Sequence, residues 1–180
     1  LIAIDQQFSL VLIEEEVYLV DLTVLRACWF LHTFKKQVLP WASRPLLVPI
    51  HYVDAERDFN DYSDHCALFQ QLGINWVILE KSKLLIRTLP GLTPQLDIHA
   101  FLHTAFSLPN LSLSQLISIL AESVAQKPEV VGDSQHNAFV DDLISHLKNM
   151  GSSNNVFADS ELSACIKKLS ATFCQELLYG

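Results

Sequence analysis

Residues 22–34 read Leu-Thr-Val-Leu-Arg-Ala-Cys-Trp-Phe-Leu-His-Thr-Phe, and on a helical projection Leu22, Val24, Leu25, Cys28, Trp29, Phe30, Leu31 and Phe34 occupy nearly every side. A helix that is apolar all round must be buried on most sides or must face another chain. Arg26 and His32 interrupt it, and at 13 residues the run is shorter than the roughly 20 needed to cross a bilayer. The rest of the sequence therefore has to supply a cover for this segment. Asp21 is placed to cap the helix, Lys35 and Lys36 suit the negative end of its dipole, and Pro40 follows, so the sequence predicts helix to about Leu39.

The flanking segments give an α+β architecture. Residues 8–13 and 17–21 are rich in β-formers on either side of Glu14-Glu15-Glu16 and read as a hairpin. Pro40-Trp-Ala-Ser-Arg-Pro45 is a stiff connector and a natural boundary. A β-α-β-β-α insert follows. It comprises a strand at 46–53, a helix capped by Asp54 with Ala55, Phe59, Tyr62, Cys66 and Phe69 on one stripe, strands at 74–79 and 84–89, and a short helix at 97–106. Gly73 stops the first of these helices. Ser112-x-x-Gln115 is a capping box opening another helix, and helices are expected around Phe139–Leu147 and after Asp159, the last carrying Leu162, Ile166, Leu169, Phe173 and Leu177. The predicted architecture is thus a hairpin-plus-helices subdomain, residues 1–43 and 109–180, interrupted by a compact subdomain at 44–108.

Half of the 180 residues are apolar and 18% are charged, a globular composition. Twelve Lys and Arg face twenty Asp and Glu, a net charge of −8, so the chain repels phosphate backbones and is expected to bind nucleic acid little by itself. Four cysteines without a close pair point to a reducing, cytoplasmic setting. The first residues lack a basic signal-peptide region and an initiating Met, which suggests a fragment of a longer protein.

A search for chemistry yields little. The five glycines (Gly73, Gly91, Gly132, Gly151, Gly180) are too scattered for a phosphate-binding loop, and no Gly-x-Ser-x-Gly elbow is present. His99 and His103 share a helix face at metal-ligand spacing, but Ala100 stands where a zinc hydrolase would need Glu. A surface or packed pair is the simpler reading; a metal-dependent nuclease or hydrolase using these two histidines is the rival. Asp142 and His146 have the spacing of an ordinary helix-stabilising pair. Asp54, Glu56, Asp58, Asp61 and Asp64 read as the wet face of their own helix rather than a cation site. From the residues alone the chain is an interaction module without a visible active site.

One further pattern is more specific. Arg44-Pro-Leu-Leu-Val-Pro49, Leu72-Gly-Ile-Asn75 and Ile86-Arg-Thr-Leu-Pro90, in this order and spacing, together with Gln7-Phe8 and Val17-Tyr-Leu-Val-Asp21, resemble the C-terminal domain of the bacterial mismatch-repair protein MutL. The resemblance covers residues 7 to about 108 well and the helical tail loosely. It implies a homodimerisation subdomain interrupted by an inserted regulatory subdomain, in a protein whose separate N-terminal domain holds ATP and Mg; no cofactor is expected in this domain.

Many members of that family carry Asp-Gln-His-Ala-x-x-Glu-x-x-x-x-Glu and hold metal ions. Here Asp21 matches, but Leu22, Thr23 and Val24 replace Gln-His-Ala, and Ala27 and His32 replace the glutamates, so a non-catalytic, non-nicking member is implied. Ala164-Cys165 resembles the family's Ala-Cys-basic motif with Ile166 in place of the basic residue. The implied partners are a second copy of the chain, the mismatch-recognition protein MutS, the nicking endonuclease MutH, a helicase and the sliding clamp. The family's clamp-binding motif begins with Gln where this chain has Arg44, so Arg44, Pro45, Leu46, Leu47, Val48 and Pro49 are expected to bind the clamp weakly, unless residues 46–48 are simply a core strand. The expected dimer interface centres on Leu22, Leu25, Trp29 and Phe30, whose character suits an interface resembling a core cut in half.

Overall fold

The structure, a computed structural model, describes residues 2–4, 7–13, 16–93, 96–126, 139–142, 144–145 and 165–170. It is α+β. Two compact units form within the chain: Leu1–Thr33 with Ala125–Gly180, and Phe34–Val124 between them in sequence.

In the first unit, strands β1 (Ile2–Ala3), β2 (Phe8–Ile13), β3 (Glu16–Asp21) and β7 (Ile166–Lys168) form an antiparallel sheet in the order β1-β2-β3-β7. The hairpin is in register from Phe8↔Asp21 to Ile13↔Glu16. Alternation along β3 buries Tyr18 and Val20 on one face. The strand passes directly into helix α1 (Leu22–Lys35).

Asp21 makes that junction. Its Oδ1 accepts from the backbone N–H of Thr23 at 3.0 Å and Val24 at 3.2 Å, while Oδ2 accepts from Gln7 Nε2 at 2.8 Å. Two otherwise orphaned helix-start donors are satisfied, and the helix start is tied to the strand beside it. The helix stops at Lys35, not near Leu39. The residue before a proline is driven out of the α region, so the helix cannot run up to Pro40.

Leu22, Leu25, Trp29 and Phe30 are all buried, and Trp29 packs edge-on against Phe30 and Phe139 with ring centroids 5.1 and 6.0 Å apart. Trp29 Nε1 donates to Asp142 Oδ2 at 2.8 Å, joining positions 113 residues apart. The charge inside this apolar helix, Arg26, is buried and donates from Nε to the Leu22 carbonyl at 3.2 Å.

The tail departs from the all-helical expectation at one point. Ile166, expected on the inner stripe of a last helix, lies in β7, where Tyr18↔Lys168, Leu19↔Lys167 and Val20↔Ile166 pair with β3. Pairing with an otherwise open edge of the hairpin satisfies backbone groups that a local helix signal cannot anticipate. Lys168 Nζ also bonds Glu16, whose other carboxylate oxygen accepts from Tyr18 Oη at 2.6 Å. Those bonds, that of Lys168 foremost, hold the Glu16 carboxyl below its ordinary range. The remaining positions of the last expected helix, Leu162, Phe173 and Leu177, lie outside the described residues, as do Leu147 and His146; Leu169 follows the strand.

The second unit is built on a sheet of β4 (Ser43–Val53), β5 (Asn75–Glu80) and β6 (Lys83–Pro90) in the order β4-β6-β5, antiparallel throughout. Between β4 and β5 the expected Asp54-capped helix does not form as one piece. A turn at Asp54 is followed by a 3-10 helix, Phe59–His65, and then α2 (Cys66–Gln71). Asp58, not Asp54, provides the cap, accepting from Asn60 N at 3.0 Å. Asp54 instead accepts from Glu56 N at 3.1 Å and Arg57 Nε at 2.7 Å, which fixes a turn in place of a first helical turn.

Gly73 ends α2 at φ +79°, with its α-carbon hydrogens turned toward the Trp41 and Ala42 carbonyls. Helices α3 (Ile98–Phe106) and α4 (Leu113–Ala125) follow. Asp97 caps α3 by accepting from His99 N and Ala100 N. The Ser112 capping box closes in both directions, Ser112 N to Gln115 Oε1 at 2.9 Å and Gln115 N to Ser112 Oγ at 3.3 Å. The core is aromatic: Phe69, Trp76, Phe101 and Phe106 are buried together, with Trp76 and Phe106 stacked at 5.0 Å.

Candidate functional site

Three places bear on function: helix α1, an apolar projection on β4, and a cleft beside α3. In α1 the four residues expected at a self-interface, Leu22, Leu25, Trp29 and Phe30, are each less than a tenth exposed within the single chain. Their apolar surface is already covered there. Among the described residues, the large apolar side chains exposed in the same unit are Ile4, Leu12 and Val24, at 57%, 66% and 44%.

The six residues 44–49 lie in β4, but they are not ordinary sheet. Pairing with β6 runs through Pro45↔Thr88, breaks, and resumes at Ile50↔Ile86. Five steps along β4 therefore match two along β6, and Leu46, Leu47, Val48 and Pro49 leave the ladder as a wide bulge. The two prolines explain the geometry. Neither Pro45 nor Pro49 can donate a ladder hydrogen bond, so prolines in sheets concentrate at edges and bulges, and β4 is an edge strand.

The result is an unusual display. Leu47 is fully exposed (103%), Val48 is 78% exposed, and Leu46 is half-buried at their base. A core-strand role would have buried at least one of Leu47 and Val48, and neither is buried. A solvent-facing Leu-Val pair held by a bulge between two prolines is suited to entering an apolar pocket on another molecule.

The cleft, about 650 Å³ and open to solvent, is lined by residues 52–57 together with His99, Ala100 and His103 of α3. His99 and His103 are both exposed, and the His99 ring lies 5.8 Å from that of Tyr52. Burial pushes the Tyr52 hydroxyl above its usual range, with the negative Asp54 nearby adding to this.

Arg57 is anchored on every side. It meets Asp54 at 2.7 Å and the Tyr62 hydroxyl at 3.3 Å, and it also binds the Phe106 carbonyl at the end of α3. Burial opposes its charge, but the bonds to Tyr62 and Asp54 outweigh that and raise its affinity for the proton. This cation therefore ties the 54–58 turn to α3 and is committed to structure. Among the described residues no group of three His, Cys, Asp or Glu side chains converges to hold a metal ion. Of the acidic set on the preceding segment, Asp54 and Asp58 are engaged as turn and cap acceptors, and Glu56, Asp61 and Asp64 are exposed.

The residues at the β3–α1 junction are equally structural. Asp21 spends both carboxylate oxygens on the helix start and Gln7, and Leu22 is buried apolar core. Residues 44–49 stood out in the sequence through their resemblance to a family motif; the signal for the bulge, two prolines in one strand, was hidden because Pro45 reads as the end of the connector and the strand as starting at Leu46. Among the described residues no helix is long and apolar enough to cross a membrane.

The family model of the MutL C terminal dimerisation domain matches residues 1–108. No curated protein matches the chain.

Proposed function

Because the chain belongs to the MutL C-terminal dimerisation-domain family, we propose that it acts in DNA mismatch repair as a non-catalytic homodimer that joins mismatch recognition to strand nicking and unwinding. The dimerisation role falls to residues 1–43 and 109–180 and the regulatory role to 44–108. The way a packing unit is interrupted in sequence by another, at Phe34–Val124, supports such a division. ATP and Mg belong to a separate ATPase domain in this account, and the partners are MutS, MutH, a helicase and the sliding clamp, in a cytoplasmic setting.

For the self-interface we take Leu22, Leu25, Trp29 and Phe30 as the floor on which the contact surface rests. Their burial within one chain fits that role, while exposed Ile4, Leu12 and Val24 offer apolar area to a second copy. A stable dimer needs a surface of this kind, because obligate interfaces are more apolar than ordinary surface.

The regulatory role rests on one observation, the outward display of Leu47 and Val48 from the bulge in β4. Burying a fully exposed leucine stabilises a complex by about 1.5–3 kcal/mol, so Leu47→Ala should weaken clamp binding about ten- to hundredfold. Having no packing to lose, the variant should keep its urea midpoint. Arg44 replaces the family's Gln, so the parent affinity is expected to be weak, and Arg44→Gln to tighten it. A clamp titration in which Leu47→Ala binds like the parent chain removes this assignment.

A further inference from the structure

We propose that the free edge of β5 accepts an acidic, extended segment of a partner protein as a fourth strand of the second unit's sheet. In the order β4-β6-β5, β5 is paired on one side by β6, and among the described residues no strand pairs its other side. Backbone donors and acceptors along such an edge are a ready template for another chain, and proteins usually blunt it with charges or proline. Residues Trp76, Val77, Ile78 and Leu79 carry neither, and the first charge on the strand is Glu80 at its end. Ile78 and Leu79 are exposed, at 36% and 48%.

The sheet's outer face continues this surface. Tyr52, Trp76, Leu84 and Ile86 are buried toward the aromatic core, which turns Val53, Val77 and Leu85 to the other side, while Leu79 stands unpaired where the β5–β6 register shifts. Of these, Val53 is 56% exposed. An added strand would extend an apolar face, with main-chain hydrogen bonds for affinity and alternate side chains for specificity.

Charge selects the occupant. The chain as a whole carries −8, yet residues 75–90 hold Lys81, Lys83 and Arg87 against Glu80 alone. Lys83 meets Glu80 at 2.8 Å, and Lys81, 82% exposed, stands 3.6 Å from Asp58. Arg87 sits where the β5–β6 register shifts; it is exposed, and among the described residues it has no ion-pair or hydrogen-bond partner. Strands lie about 4.8 Å apart, so a fourth strand would run about 10 Å from β6, a gap that an arginine on β6 and a glutamate on the added strand can close together. Single-stranded nucleic acid is the poorer fit. It needs exposed rings for stacking, and the aromatic on this strand, Trp76, is buried.

The test uses the full chain and a fluorescein-labelled nine-residue peptide alternating glutamate and valine, followed by anisotropy. Parallel titrations use the same peptide with lysine for glutamate and a 20-nucleotide single strand. The acidic peptide should bind, its affinity should fall about tenfold or more in Arg87→Glu, and the lysine peptide should gain affinity for that same variant. Leu47→Ala, on the opposite edge of the sheet, should leave this binding unchanged. Leu79→Ser should weaken the acidic peptide through lost apolar contact without altering the chain's oligomeric state. Equal binding of the two peptides, no binding up to about 1 mM, or preference for the oligonucleotide overturns the proposal. So does a loss of self-association in Leu79→Ser, which would assign the edge to a second copy.

Discussion

The bond between Trp29 and Asp142 closes the first unit across 113 residues of sequence, and removing it has a calculable effect. At 2.8 Å an indole N–H donating to a carboxylate is a charge-assisted bond, worth about 1.5–3 kcal/mol where solvent is largely excluded. Trp29 is buried and Asp142 half-buried, so the lower half of that range applies. Trp29→Phe keeps a ring against Phe30 and Phe139 but loses the donor and part of the packing, and should cost about 2–3 kcal/mol. Asp142→Ala removes the acceptor and should cost about 1–2 kcal/mol. The double variant should cost less than their sum by about 1–2 kcal/mol, the coupling of the pair. Urea titrations at one fixed protomer concentration supply all four corners, since a dimer's stability depends on concentration. Additive single costs, with coupling under about 0.3 kcal/mol, would falsify the claim that this bond joins α1 to the C-terminal part of its unit.

Two further outcomes follow from local geometry. Gly73→Ala must hold φ +79° with a new Cβ 3.1 Å from the Ala42 carbonyl oxygen and 3.2 Å from that of Trp41. The backbone conformation alone costs about 1–2 kcal/mol and the contact adds to it, so Tm should fall by about 4 °C or more; a fall under about 1 °C contradicts the reading. The Glu16 carboxyl, held low chiefly by Lys168, should titrate below the ordinary value of about 4.3. Because its folded pKa is depressed, its support of the β3–β7 pairing is complete above that pH and fades as pH falls through the folded value. An NMR titration should show the midpoint rising toward normal in Lys168→Met, and equal midpoints in the two proteins would count against the pair.

What the sequence revealed was what local chemistry controls. The hairpin strands, the Asp21 cap, the Ser112 capping box and the Gly73 stop each depend on residues within a few positions of one another, and each is present. The failures share a different cause. Asp54 and Asp58 are equally good caps by type, and Arg57 decided between them by taking Asp54. Ile166 pairs with Val20, a partner 146 residues away that no helical pattern reports.

The candidate site divides in the same way. Pro45 and Pro49 made the bulge of 46–49 legible in principle, whereas the exposure of Leu47 depended on how β6 resumes its pairing. An all-round apolar α1 fitted either a buried helix or a contact surface. The burial of Leu22, Leu25, Trp29 and Phe30 within one chain involves distant residues such as Phe139 and Asp142, which no local pattern reports.

Sedimentation velocity across a dilution series from about 50 μM to below 1 μM tests the account most directly, since it spans weak to firm association. A dimerisation domain of this family should sediment as one species of about 41 kDa, twice the 20.3 kDa chain, throughout that range. A species of 20.3 kDa at every concentration would contradict the account at its centre.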